Sequence, residues 1–142
     1  MLTAEDIAAF REEMDASSNP PLTVPQMVEI FAETMRQEKN PEMSVDLVME
    51  EYQEWWEEAF CVDTFGVPNG LQKDELKELA DLVYVIYGYA RARGWDLDEA
   101  IRRVHRNNLD RCVQPDGSVK YRADGKVIKR DNPPKIDLED LV

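Results

Sequence analysis

The chain has 142 residues, 43% hydrophobic and 33% charged, with 17 lysines and arginines against 30 aspartates and glutamates for a formal charge of −13. A chain of this length fits one domain and can bury about two thirds of its unfolded surface, so a core is available without disulfides. The acidic balance repels nucleic-acid backbones and anionic membranes at long range and argues against both as main partners.

In chain order, residues 3–15 place Ile7, Ala8, Phe10 and Met14 at helical spacing, and Ser17, Ser18, Asn19, Pro20 and Pro21 end that segment. Thr23 should cap a second helix, with Pro25 in its first turn, Gln26 three residues on, and a stop near Asn40 and Pro41. Ser44 is the next capping candidate. It leads into a third helix whose apolar stripe would be Leu47, Val48, Tyr52, Trp55 and Ala59. Gly66, Pro68, Asn69 and Gly70 mark a loop, after which a long helix should run from about Lys73 to Arg93 and stop at Gly94. Asp96 and Glu99 have the spacing of a capping box for a last helix reaching about Asp110. Beyond it, Asp116-Gly117 and Asp124-Gly125 are turn dipeptides among short strand-like segments, which predicts a small β-hairpin around Asp124-Gly125. The last residues, with Pro133 and Pro134, should be extended and either docked or disordered.

The N-terminus carries Glu5 and Asp6 and lacks a basic region. The longest uncharged apolar run, residues 82–90, is far short of the roughly 20 residues that span a bilayer. The two cysteines, Cys61 and Cys112, and the single histidine, His105, supply no thiol or imidazole zinc site. The expectation is a cytoplasmic protein with reduced, inert thiols and no membrane or nucleic-acid partner.

Charge is unevenly placed. Residues 42–58 hold seven acids and no base, whereas residues 111–130 hold six bases and two acids. Within the acidic stretch Glu50, Glu51 and Glu54 fall at helical spacing, as do Glu78 and Asp81 on the following helix. If the two helices pack antiparallel, the pairs can face each other, and all-oxygen ligation of that kind suits magnesium or manganese. Asp81 opens the uncharged run 82–90, which should be buried on nearly all sides. A carboxylate at its edge needs either a cation or an Arg or Lys partner.

Glu50-Glu51-x-x-Glu54, 23 residues and Glu78-x-x-Asp81 resemble the signature of the all-α nucleoside triphosphate pyrophosphohydrolases, the superfamily of MazG and the dimeric dUTPases. The likeness continues in KELADLVYVIYGYARARGWDLDEAIRRVHRNNLDR and in YRADGKVIK, which is similar to a C-terminal hairpin of MazG-like proteins, many from phages. It covers roughly residues 44–130. The resemblance implies an all-α, four-helix-bundle-like core, about residues 23–110, with an extra N-terminal helix and a small C-terminal hairpin and tail (111–142), in a single domain 1–142. It also implies cleavage between the α and β phosphates of a nucleoside triphosphate, giving a monophosphate and pyrophosphate. Divalent ions would bridge a triphosphate and carboxylates that otherwise repel it.

On that resemblance Glu51, Glu54, Glu78 and Asp81 are metal ligands for magnesium, with manganese as the alternative. Glu50 is either a ligand of a second ion or the base toward the attacking water. Asn108 would contact base or sugar and Arg111 phosphate, with Lys120, Tyr121 and Arg122 closing from the hairpin. Trp56 could stack on a base, while Trp55 lies on the apolar stripe and His105 would make a structural hydrogen bond. Phe31-Ala32-Glu33 departs from the phenylalanine-glycine pair common in the first core helix of the family, and Arg111 stands where lysine is usual. A homodimer or homotetramer is implied, and the preferred base is open. The competing readings are an acidic helical interaction protein without catalysis and a degenerate member that binds nucleotide only. A calcium-binding loop is excluded by the lack of the D-x-D-x-D-G order.

Overall fold

The structure, a computed structural model, describes residues 21–65 and 72–142, with side chains throughout except at residues 61–65. The helix expected at residues 3–15, the loop at Gly66 to Gly70 and the side chain of Cys61 lie outside the described residues. The chain forms two compact units that divide between Gly94 and Trp95.

The first unit contains α1 (Val24–Thr34), α2 (Pro41–Phe65) and α3 (Gln72–Arg93). Thr23 and Gln26 cap α1 reciprocally, each side chain meeting the other residue's backbone N–H, and Pro25 sits in the first turn where a missing N–H costs nothing. The helix ends at Thr34, six residues before the expected stop. Arg36 takes a left-handed conformation (φ 52°), and the Gln37 N–H reaches back to the Ala32 carbonyl. That closure is normally announced by glycine, and an arginine in the position hides it.

Asn40, not Ser44, caps α2. Its side chain accepts from the Met43 N–H at 3.1 Å and Pro41 supplies the first helical residue, while the Ser44 hydroxyl donates back to the Asn40 carbonyl. The inward line of α2 is half-buried Ser44, Val48, Glu51, Trp55 and Ala59. Leu47 and Tyr52, expected on that stripe, are exposed.

α3 runs antiparallel to α2, since Glu78 lies beside Glu51 and Glu54 while Gly88 and Ala92 lie beside Met43 and Ser44. It ends as expected at Gly94 (φ 75°). α1 is pinned to α3 by a fork from Arg91 to Glu29, at 2.7 and 3.1 Å, and by edge-on contact of Phe31 with Tyr84. Among the described residues the buried apolar side chains are Val28, Ala32, Leu82 and Ala90. The run 82–90 is therefore not enclosed on nearly all sides, since Val83 is 41% exposed and the residues between Val83 and Ala90 are half-buried.

The second unit is built on α4 (Leu97–Cys112). Asp96 caps it by accepting from the Glu99 N–H at 2.9 Å, but the Glu99 carboxylate goes to Arg102 and Arg103 rather than completing a capping box. The expected hairpin pairs β1 (Lys120–Tyr121) with β2 (Val127–Ile128), Lys120 opposite Ile128, around a turn closed by the Gly125 N–H on the Arg122 carbonyl. The tail is docked along α4. Asn107 donates to the Pro134 carbonyl, and the Arg103 guanidinium forks onto Asp140 in the short 3₁₀ turn Glu139–Leu141. This pairing holds the Asp140 carboxyl below its ordinary range.

Candidate metal centre

Helical periodicity brings Glu51 and Glu54 onto neighbouring positions of α2, and the antiparallel register sets Glu78 of α3 against them. One carboxylate oxygen from each lies within 4.8 Å of the others. Glu51 and Glu78 are half-buried and Glu54 is exposed, so the cluster opens at one side. A magnesium–oxygen distance of about 2.1 Å puts two ligands across an ion about 4.2 Å apart, so small side-chain rotations would close these three oxygens on one ion.

Two observations show that the donors suit a hard cation. Glu51 Oε2 and Glu78 Oε2 are buried with no hydrogen-bond partner. Buried carboxylate oxygens normally have several donors, and leaving one bare is costly. Burial first, and then the charges of Glu54, Asp81 and Glu78, push the Glu51 carboxyl above its ordinary range. A third bare polar atom, the indole N–H of Trp55, is buried one turn beyond Glu51. The sequence placed Trp55 in the apolar stripe by its ring, and nothing in its spacing revealed the unpartnered N–H.

The other expected site residues are placed differently. Asp81 stands outside the three-carboxylate group and accepts from Lys77 at 2.9 Å, while Lys77 also meets Glu78 at 3.0 Å. Both bonds push the lysine pKa upward. Lys77 is thus a tethered counter-ion at the edge of the cluster, the lysine partner that a carboxylate beside an apolar run needs. A positive charge there competes with a divalent ion. Lys77→Met is expected to bind magnesium severalfold more tightly and to melt at a lower temperature without metal, as calorimetric titration and melting curves would show. Unchanged affinity in the variant would mean that Lys77 does not compete.

Glu50 is exposed and lines a shallow groove with Met49, Gln53 and Trp56, one helical position off the cluster but on the same face as Glu54. Trp56 is exposed and stacked on Phe60 at 5.3 Å. Along the α2–α3 seam a small cleft of about 110 Å³ is lined by Phe31, Leu47, Tyr84, Val85 and Gly88, with Gln37 and Glu38 at its polar side. Leu47 precedes Glu51 by one turn and Val85 follows Asp81 by one turn, so the cleft adjoins the carboxylates. The sequence reading missed it because the segment after α1 was taken as helix.

On the second unit Arg111 is half-buried and Asn108 exposed, and it is Asn107 that faces the tail. Lys120, Tyr121 and Arg122 are exposed on the hairpin, with Arg122 paired to Asp124 at 2.8 Å. His105 is exposed, and the structural hydrogen bond expected of its side chain is not found among the described residues. Cys112 is a free, half-buried thiol.

The model of the phosphoribosyl-ATP pyrophosphohydrolase family matches residues 24–108, more than half of the chain and all of its helices from α1 to the last turn of α4. The chain belongs to the phosphoribosyl-ATP pyrophosphohydrolase family. This is an all-α family of the MazG-like nucleotide pyrophosphohydrolase type, as the resemblance implied. No curated protein matches the chain by sequence. Membership of the phosphoribosyl-ATP pyrophosphohydrolase family carries pyrophosphohydrolase activity on a nucleotide-like substrate, and the family is typically dependent on a divalent metal. The matched span holds every carboxylate of the cluster and ends before Arg111 and the hairpin. Among the described residues no helix is long and apolar enough to cross a membrane.

Proposed function

We propose that this member of the phosphoribosyl-ATP pyrophosphohydrolase family is a magnesium-dependent nucleoside triphosphate pyrophosphohydrolase. It would cleave between the α and β phosphates to give a nucleoside monophosphate and pyrophosphate. The observation that supports this most is the pair of bare, buried oxygens of Glu51 and Glu78 converging with Glu54. Magnesium, or manganese in its place, would be held by Glu51, Glu54 and Glu78 with Asp81 as the fourth ligand. Bound there, it supplies Lewis-acid polarisation of the phosphate and the attacking water.

Further residues are given roles in this reading. Glu50, beside Glu54, takes the proton from the attacking water or holds a second ion. The apolar cleft next to Glu51 suits a flat base, with Gln37 and Glu38 offering polar edges. Trp56 offers an exposed ring face as a second stacking position. Arg111 takes phosphate and Asn108 a base or sugar edge. Lys120, Tyr121 and Arg122 add charge and hydrogen bonds from the hairpin, Arg122 by exchanging Asp124 for phosphate. The place of action in this reading is the cytoplasm.

A pyrophosphate-release assay with magnesium over a panel of canonical and modified nucleoside triphosphates tests the proposal. Phosphoribosyl-ATP belongs in the panel because the matched family model is described by that substrate. Release from at least one compound, abolished by chelation, is expected. Silence across the panel would favour the non-catalytic readings.

The same reading includes a homodimer or homotetramer. Met49, Tyr52, Trp56 and Phe60 on α2 and Val83 on α3 are each more than 40% exposed. Large apolar side chains gathered on one helix face are a common mark of association. Sedimentation at micromolar concentration should give two or four times the 16.4 kDa chain mass. A monomer would contradict this part of the reading.

A further inference from the structure

Trp55 follows Glu51 by one turn on the inward line of α2 and is half-buried there. Its ring centroid lies 5.9 Å from that of Tyr52, three residues earlier, with 51° between the planes. The indole is therefore folded back over the turn that carries residues 51 and 52, the direction in which helix geometry tilts long side chains. Glu51 stands on that turn.

The nitrogen of this indole is covered and has no hydrogen-bond partner. An indole N–H can only donate, and a buried donor left bare costs more than a typical hydrogen bond gains. Among the described residues the buried side-chain oxygens left bare are Glu51 Oε2 and Glu78 Oε2, and both belong to the carboxylate cluster. The donor on Trp55 and the acceptor on Glu51 share one helix and one face, four residues apart, the spacing at which side chains meet. A phenylalanine would cover the same turn without an orphaned donor, so packing alone does not account for an indole here.

A carboxylate that ligates a cation is held in orientation by an outer hydrogen-bond donor, and loss of such a partner weakens metal binding by about tenfold or more. A neutral N–H suits that task, because it fixes the carboxylate without cancelling the charge that attracts the ion. Lys77, on the α3 side, does cancel charge.

We propose that Trp55 is a positioning residue for the metal centre, its indole N–H donating to the Glu51 carboxylate and fixing the direction in which that group faces the cation. The inference rests on the metal-dependent reading above and adds to it a residue that touches neither ion nor substrate. The bond forms through the same small side-chain rotations that close the three carboxylates on one ion.

The test uses the full chain with nitrogen-15 in its tryptophans. NMR separates the indole N–H signals of Trp55, Trp56 and Trp95, and Trp55→Phe identifies the first of them. Magnesium should move the Trp55 signal downfield and slow its exchange with solvent, saturating as the metal site fills. Glu51→Gln should abolish this movement. Glu75→Gln should not, although Glu75 is half-buried one turn before Glu78 on the facing helix. Manganese affinity, followed by electron paramagnetic resonance, should fall about tenfold in Trp55→Phe. Benzothienylalanine placed at Trp55 keeps both rings and puts sulfur where the N–H was, so it should show the same loss without a lower melting temperature of the metal-free protein. A residue that only packs would give the reverse, normal affinity in the isostere. That result, a Trp55 signal that ignores saturating magnesium, or a movement that survives Glu51→Gln or vanishes in Glu75→Gln would overturn the proposal, while manganese binding by wild type left the metal reading standing. Wild type that binds no manganese would remove that reading and this inference with it.

Discussion

Glu51→Gln is expected to lower pyrophosphate release by about a thousandfold or more while leaving the metal-free protein as stable as wild type or more so. The loss follows from removing a buried, charged ligand, since Lewis-acid stabilisation is worth several kcal/mol and each 1.4 kcal/mol or so is tenfold in rate. The stability follows from the electrostatics of the cluster. Burial and three neighbouring carboxylates hold the Glu51 carboxyl above its ordinary range, so ionised Glu51 opposes folding. Its favourable contribution is present in acid, when it is protonated, and is lost as pH rises through the raised pKa. The melting temperatures of wild type and variant should coincide near about pH 4 and separate, variant higher, toward about pH 7. Magnesium should then raise the wild-type melting temperature and barely move that of the variant. A variant that melts lower without metal, with magnesium shifting both proteins equally, would make Glu51 a structural residue.

Leu82→Ala is expected to destabilise the protein by about 2 to 4 kcal/mol, a drop of roughly 10 °C in melting temperature. Leu82 is the largest of the buried apolar side chains among the described residues, the others being Val28 and two alanines. It follows Asp81 directly and lies one turn beyond Glu78 on α3. Removing its branched end leaves a cavity that helices held by so few buried groups cannot refill. Equilibrium urea unfolding checks the magnitude. A loss below about 1 kcal/mol would mean that Leu82 packs loosely in the single chain and that contacts between copies carry the stability.

How much was legible in the sequence depended on whether the deciding interaction was local. Thr23, Pro25 and Gln26 announced the start of α1, and Gly94 the end of α3, because both depend on residues a few positions apart. The stop of α1 was not legible, because Arg36 occupies a left-handed position that a glycine would have advertised. Asn40 was overlooked as a cap because Pro41 beside it reads equally as a terminator and as a first helical residue. In the cluster, spacing set Glu50, Glu51 and Glu54 on one helix and Glu78 and Asp81 on the next, the family resemblance named the ligands among them, and the structure brings Glu51, Glu54 and Glu78 together. Spacing could not show that Asp81 holds Lys77, because a lysine at that position reaches solvent or either acid according to side-chain rotamers. The run 82–90 looked enclosed because apolarity was read as burial within one chain. The exposure of Val83 shows that an apolar residue needs a partner layer, and sequence does not say whether the same copy provides it.

The central claim is that Glu51, Glu54 and Glu78 together hold a divalent ion. Manganese binding followed by electron paramagnetic resonance, in wild type and in the three single glutamine variants, tests it most directly. The account predicts stoichiometric binding by wild type, a lower affinity in each of the three variants, and a parallel fall in pyrophosphate release. Wild-type protein that binds no manganese, or variants that bind it as tightly as wild type, would contradict the claim.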